Sequence, residues 1–477
     1  MAITIEQKPL YNNFPAGQQI IYTVSEPTVA TYYNFKYIAE VYISTVVNIN
    51  LTSATDRVAI FKTTPNNAGV GIFDLQPFIE SYVSPQNTGV GGSGQSSSEY
   101  KGVDYSLDTP HPIHLIDTYS KNENGMRSMA VRFKAEGSTT QNGAVEDLGL
   151  TTNGRMLYFF NGVLHHDNVL TLGQTGPQQG DYGFSLADAG LYTINTGNKF
   201  LTNAPTTQYA NINDYGTVGM LNFLPGGTSD KVNQLNFEYF KKDGTSVTES
   251  KTQNFTNGGC TNLDSSKCMF LFAGIYPANL RNWSSTFQGL VAADTIDYYT
   301  VQAQSTASNN LSQKYTIYIN CPNTKGYESI RLAWLNQWGA WDYYTFTQKS
   351  IKSITTNRTT YNEMSGTWND SQYSINGYKG GRKNFRVNST ERIVVNTDYI
   401  SEEHSAWFED LVNSPEVYIL NGFDASESNP YNTITNKYVE PVLITTSDYT
   451  RKTVANDRLI QYTFNMERNK TRNTQTA

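Results

Sequence analysis

Apolar and polar residues alternate one by one in run after run of this chain, and a period of two fits a pleated strand with one buried face. The run Leu459–Met466 sets Ile460, Tyr462, Phe464 and Met466 against Gln461, Thr463 and Asn465 without exception. Further upstream, Phe35, Tyr37, Ala39, Val41 and Ile43 face one way and Lys36, Glu40 and Ser44 the other. Ile38 and Tyr42 interrupt that polar side, so this strand is expected to be covered on both faces. Lys314–Asn320 alternates likewise, with Tyr315, Ile317 and Ile319 opposite Thr316, Tyr318 and Asn320. Helical periodicity is rare by comparison. Asp74–Val83 is one of few candidates, with Asp74 placed to cap it and Pro77 in its first turn. The clearest is Ser401–Asn413, where Ser401 is placed as the cap and Glu402 and Glu403 sit at the positive end. Its apolar face is Trp407, Phe408, Leu411 and Val412.

Composition points the same way. The chain has 33 tyrosines, 22 phenylalanines and six tryptophans, and rings suit a half-buried pleated surface. Charged residues make up only 16%, against about 25% in ordinary soluble domains, so the polar surface is mostly uncharged. At 477 residues the chain exceeds one ordinary domain. Turn signals at Asn161-Gly162, Pro225-Gly226-Gly227, Asp243-Gly244 and Asn257-Gly258-Gly259 divide short strands. The expected fold is therefore all-β dominated and multidomain, with antiparallel β-sandwich or barrel-like domains and a few short helices. Three domains are expected: a β-rich one over 1–150 with a flexible loop at 86–102, a central β-rich one over 151–310, and a C-terminal β domain over 311–477 with one helix near 401–413. Within the last, Ile330–Phe346 reads as two strands joined by a bend at Asn336–Gly339, where glycine permits a positive φ. That segment holds Trp334, Trp338 and Trp341, which with Tyr343, Phe346 and Trp407 are the candidates for structural packing and interfaces.

Constellations that would carry chemistry are missing from the pattern. His111 and His114 lie in His-Pro-Ile-His, and His165 and His166 are adjacent, which on a strand sends them to opposite faces. No His-Glu-x-x-His or Cys-x-x-Cys occurs, so neither a metal nor a cofactor is expected. There is no Gly-x-Ser-x-Gly, and Cys321 precedes Pro322 with no histidine nearby in sequence. No catalytic residue is assigned, and the chain is expected not to be an enzyme. Gly89–Gly94 lacks a lysine and opens no helix, so it reads as a loop and not as a phosphate cradle. Tyr378–Lys383 is a basic hairpin tip, read as a solvated or partner-facing turn, and Glu402, Glu403, Glu409 and Asp410 read as a solvated helix face. The net charge of −7 and the lack of a basic stripe argue against sequence-specific nucleic-acid binding. Cys260 and Cys268 are spaced to close a short loop, with Cys321 left over, and their pairing stays open. No run of about 18 apolar residues provides a membrane span, and MAITIEQKPLYNNFPAG lacks the apolar core of a secretory signal.

A set of motifs in fixed order carries a resemblance. After the Cys321-Pro322 turn comes Leu335-Asn336-Gln337-Trp338-Gly339-Ala340-Trp341-Asp342, followed by Tyr343-Tyr344-Thr345-Phe346. Then follow the Ser401-Glu402-Glu403 helix running to Trp407, a Ser-x-x-Val-Tyr strand (Ser414–Tyr418), and a Pro-Val-x-Ile strand (Pro441–Ile444). Earlier, Phe160-Asn161-Gly162-Val163-Leu164 and Lys199-Phe200-Leu201-Thr202 match as well. Together these resemble a family of virion structural proteins of tailed phages that infect Bacteroidetes-type bacteria, most strongly over about 311–477. Gln337-Trp338 departs from the Asn-Arg-Phe of the family pattern, so no arginine contact is carried over there.

The resemblance implies a particle component of the tail or its junction with the head, with no catalytic residues to transfer. The expectation is a non-enzymatic virion protein, a repeated subunit of a tail, baseplate or head–tail connector assembly. Its partners would be other copies of itself and other phage virion proteins, and its location the virion, assembled in the host bacterial cytoplasm. The alternative is a receptor-binding or head/tail fibre protein that recognises host surface glycans. An aromatic-rich chain with few charges suits either, since protein interfaces are enriched in rings and depleted of charge at their centres.

Overall fold

In a computed structural model of the chain, the described residues are 3–9, 13–46, 49–52, 54–85, 119–121, 124–163, 199–221, 232–252, 269–305, 307–320, 326–367, 370–375, 377–420, 439–450 and 460–468. The loop expected at 86–102, Gly89–Gly94, the three cysteines and the histidines at 111, 114, 165 and 166 lie outside them. The fold is strand-dominated, and the helices among the described residues are short. Two compact units form. The first comprises 1–320, Leu335–Tyr343 and 422–436; the second comprises 321–334, Tyr344–421 and 437–477. This differs from three consecutive domains. A boundary at 150 would cut the strand Glu146–Asn153, which is hydrogen-bonded along Met126–Ser138.

In the first unit, Thr4–Gln7, Ile21–Ser25 and Val70–Asp74 make a three-stranded antiparallel sheet. It meets a six-stranded sheet in the order 13–15, 157–160, 126–138, 33–44, 57–63, with 146–153 also pairing to 126–138. Tyr22 and Phe73 close on Phe133 at 5.3 and 5.8 Å between ring centroids, which places a sandwich core between the two sheets. Strand Tyr33–Ser44 is buried on both faces from Tyr37 to Ile43, as its interrupted alternation requires. Glu40, on what would be the polar face, is only 4% exposed and is held by Arg57 at 3.1 Å, Lys134 at 3.2 Å and the Tyr42 hydroxyl at 3.1 Å. A carboxylate can be buried when it is paired this fully.

The same unit holds a five-stranded sheet in the order Thr207–Ala210, Tyr315–Ile319, Ile296–Gln304, Gln234–Lys241, Ser246–Thr252, and a three-stranded sheet of Thr217–Leu221, Phe270–Gly274 and Tyr119–Lys121. The hairpin at Asp243-Gly244 forms, with Gly244 at φ +82° and the Asp243 carboxylate accepting from the amide and hydroxyl of Thr245. Two helices, Pro277–Trp283 and Ser285–Ala292, were not legible as periodic runs because each spans about two turns. Their signals are local: Pro277 opens the first, and the Ser284 hydroxyl caps the second by accepting from the Phe287 amide at 2.9 Å. The stretch from Asp74 gives only the short helix Gln76–Ile79 and a 3₁₀ turn, and Asp74 accepts from the Gln76 amide.

The second unit is built on a seven-stranded sheet in the order Trp341–Phe346, Ile330–Leu335, Val417–Leu420, Val439–Ile444, Thr463–Arg468, Gly381–Asn396, Ile351–Glu363, of which Leu335 and Trp341–Tyr343 fall in the first unit. Helix Glu403–Asn413 lies on it through Trp407 and Phe408. Ser401 does not cap the helix. Its hydroxyl is 3.0 Å from Nδ1 of His404, and no side chain caps the first turn. The outer two strands form a ribbon. Among the described residues Gly381–Asn396 meets a third strand only over Arg392–Asn396, and Ile354–Glu363 and their partners run on as two strands.

Candidate functional site: the tryptophan hairpin

Strands Ile330–Leu335 and Trp341–Phe346 are joined by the bend that the sequence marks, with Gly339 at φ +74°. Residues Leu335–Tyr343 belong to the first unit, and Ile330–Trp334 and Tyr344–Phe346 to the second. Asn336 organises the bend. Its Oδ1 accepts from the amides of Trp338 and Ala340, both at 3.0 Å, and its Nδ2 donates to the Leu201 carbonyl at 2.9 Å. One buried side chain thus fixes the turn and ties it to a segment 135 residues away.

Around that bend the first unit supplies three segments. From 161–163, the Val163 amide donates to the Gln337 carbonyl at 2.9 Å, and the Asn161 carbonyl lies so close that a Cβ on Gly339 would sit 1.5 Å from its oxygen. From 201–203, the Thr202 hydroxyl donates to the buried Asp342 carboxylate at 2.5 Å, and Asn203 accepts from the Trp338 indole at 3.3 Å. From 216–219, the Thr217 hydroxyl is 2.9 Å from that of Tyr343, and Gly219 leaves room for the Ala340 methyl. The Tyr276 ring closes on Tyr343 at 5.7 Å.

In the second unit, Trp334 packs on Trp407 at 5.2 Å, and Tyr344 meets Phe408 edge-on at 4.9 Å. Phe346 reaches Phe464 at 5.9 Å, and Phe464 reaches Phe408 at 5.4 Å. Burial drives the Tyr344 phenol well above its ordinary pKa, so it stays protonated and fixed. Arg331, on the neighbouring strand, is 3% exposed and donates to the Thr345 hydroxyl at 2.8 Å.

The six residues singled out from the sequence divide accordingly. Trp338, Trp341 and Tyr343 lie in the first unit; Trp334, Phe346 and Trp407 lie in the second, and all six are buried. Contacts with a neighbouring molecule therefore fall to other side chains. The sequence marked Asn161 and Asn336 as turn residues but not what they hold, and Thr217 carried no signal of its own, because a polar residue in a turn or strand reads the same whether its partner is water or a distant backbone. Three of the quoted motifs, Phe160–Val163, Lys199–Thr202 and Leu335–Asp342, nonetheless meet at this one place.

A second feature lies on the outer face of the five-stranded sheet. Phe240, Tyr298, Tyr318 and Tyr209 stand directly opposite one another on four neighbouring strands, with centroids 4.5, 4.9 and 5.5 Å apart. The two outer pairs are stacked and the central pair is tilted by 35°, so neighbouring rings cover one another's faces in part. Tyr209 ends the row on an edge strand and is 63% exposed.

Among the described residues, no three His, Cys, Asp or Glu side chains gather as a metal would need, and no helix is long and apolar enough to cross a membrane. No protein-family model matches the chain, and no curated protein matches it significantly.

Proposed function

We propose that this chain is a non-enzymatic structural protein of a tailed-phage virion, present as a repeated subunit of a tail, baseplate or head–tail connector assembly. The observation that carries the reading is the fate of the motifs on which the resemblance rests. Three of them are spent on a buried, hydrogen-bonded interlock around Asn336, which ties three distant segments of the first unit together. Such an interlock makes a rigid platform, which is what a part stacked many times over requires. The uncharged polar surface and broad sheets suit contact with other virion proteins. Immunogold labelling of intact particles, with antibody raised against the recombinant chain, tests this. Gold at the tail or neck is the expected result; particles unlabelled both intact and disrupted would overturn it.

The glycan-binding alternative has one observation in its favour, the exposed Tyr209 ring at the end of the aromatic row. A sugar stacks on ring faces, and in the rest of that row the faces are taken in part by neighbouring rings. Glycan-array binding lost on Tyr209→Ala would move the assignment to a receptor-binding fibre.

A further inference from the structure

Among the described residues no strand pairs with the outer edge of the ribbon of Ile351–Glu363 and Gly381–Asn396, which is exposed along most of both faces. Beyond its last contact with a third strand it runs ten residues, about 33 Å at 3.3 Å per residue. A two-stranded ribbon is marginal alone in water, because neither face buries enough apolar surface to offset ordering the chain. This one nonetheless presents Ile354, Met364, Ile375, Tyr378 and Phe385 to solvent, each more than half exposed. Exposed aliphatic and aromatic side chains among arginines have the composition of a protein interface.

Charge identifies what covers it. Residues 351–396 hold seven Lys and Arg against three Asp and Glu, a net +4. The other 431 residues hold 28 against 39, a net −11. Lys383 is paired with Glu363, Lys352 with Glu328 and Arg392 with Glu467. Lys379 also acts on Glu363, whereas Arg358, Arg382 and Arg386 form no ion pair with a carboxylate among the described residues. The opposing charge concentrates directly downstream. Asp410, expected on a solvated helix face, is buried at 3% exposure, but Glu402 and Glu403 stand exposed at the start of helix Glu403–Asn413, Glu409 is half-buried on it, and no Lys or Arg occurs in the sequence from 393 to 436.

We infer that the ribbon is an assembly arm that docks, through Arg358, Arg382 and Arg386, on the acidic helix face of a second copy of this chain. The inference rests on the repeated-subunit reading and names its contact. An arm and a receiving face at different places on one molecule make a head-to-tail interface, which closes into rings or propagates as stacks. The acidic remainder of the chain repels a polyanion, and the apolar side chains of the arm find no use on a phosphate backbone, so a second copy is favoured over nucleic acid.

Sedimentation velocity on the purified full chain, at low and high salt, tests the inference. Self-association that weakens as salt screens the pair is expected. R358E/R382E/R386E should weaken it by about 100-fold or more, since like charges then face each other. Mixing that variant with E402K/E403K/E409K should restore association between the two, with wild-type circular dichroism in each showing that the fold is kept. Wild type that stays monomeric, or that associates equally well with the reversed arm, would overturn the arm. So would duplex DNA binding that the reversal abolishes. Either failure leaves the virion assignment standing on its own test, because gold labelling of particles does not depend on which surface joins the copies.

Discussion

Replacing Asn336 by alanine removes one side chain and strands three backbone groups. The amides of Trp338 and Ala340 each lose an acceptor at 3.0 Å, and the Leu201 carbonyl loses a donor at 2.9 Å. All three bonds are buried, so water does not readily replace them. An unsatisfied buried polar group costs about 1–3 kcal/mol. The carbonyl has a second lone pair and the two amides have one donor each, so a sum of about 3–6 kcal/mol is expected for the three together. Urea unfolding at 25 °C, followed by tryptophan fluorescence, measures it. Hydrogen exchange locates it: at 1.4 kcal/mol per decade, a loss of about 3 kcal/mol speeds exchange at the Trp338 and Ala340 amides roughly 100-fold when they open with the unit. Asn336→Asp keeps the acceptor but sets a carboxylate oxygen against the Leu201 carbonyl, and should be no better tolerated. A loss below about 1 kcal/mol for the alanine variant, with exchange at 338 and 340 unchanged, would refute the view that this amide ties the bend to residues 201–203.

Three further outcomes are expected. Gly339→Ala should unfold the bend more severely than its size implies, since φ is +74° and the new Cβ would meet the Asn161 carbonyl at 1.5 Å; a melting temperature within a degree or so of wild type would contradict this. Trp334→Ala should cost about 3–5 kcal/mol, because the ring is fully buried against Trp407 and Phe408, and thermal unfolding reads the loss directly. His404 has its pKa held below the ordinary 6.5 by burial, only partly offset by the Glu403 charge. The unfolded chain therefore takes up the proton first as pH falls, so the stability is whole above about 6.5 and declines below it, and His404→Gln should flatten that decline in a pH series of unfolding midpoints.

Much of the secondary structure was written in local pattern. Period-two alternation placed the strands at 33–44, 315–319 and 463–468, and turn chemistry placed Gly244 and Gly339 where positive φ is needed. Each of these depends on a residue and its close neighbours, which is the range over which a sequence can be read. The helices at 277–283 and 285–292 escaped because two turns are too short to establish a period.

What the tertiary structure alone decided was partnership. Ser401 has the chemistry of a helix cap, yet the His404 ring lies 3.0 Å from its hydroxyl. Glu40 has the look of a solvated residue, yet two cations meet it in a buried strand. The ribbon 351–396 has ordinary strand composition, and only the sheet order shows that, among the described residues, most of it stands without a third strand. The division into units follows the same rule: the bend at Asn336 was legible, but its membership of the first unit depends on Leu201, Thr202 and Val163, more than 130 residues away. A hydrogen bond of that range is set by how sheets stack. Sequence encodes that stacking only through the summed burial of many side chains, so composition and periodicity determined the kind of protein and packing determined which surfaces it keeps free.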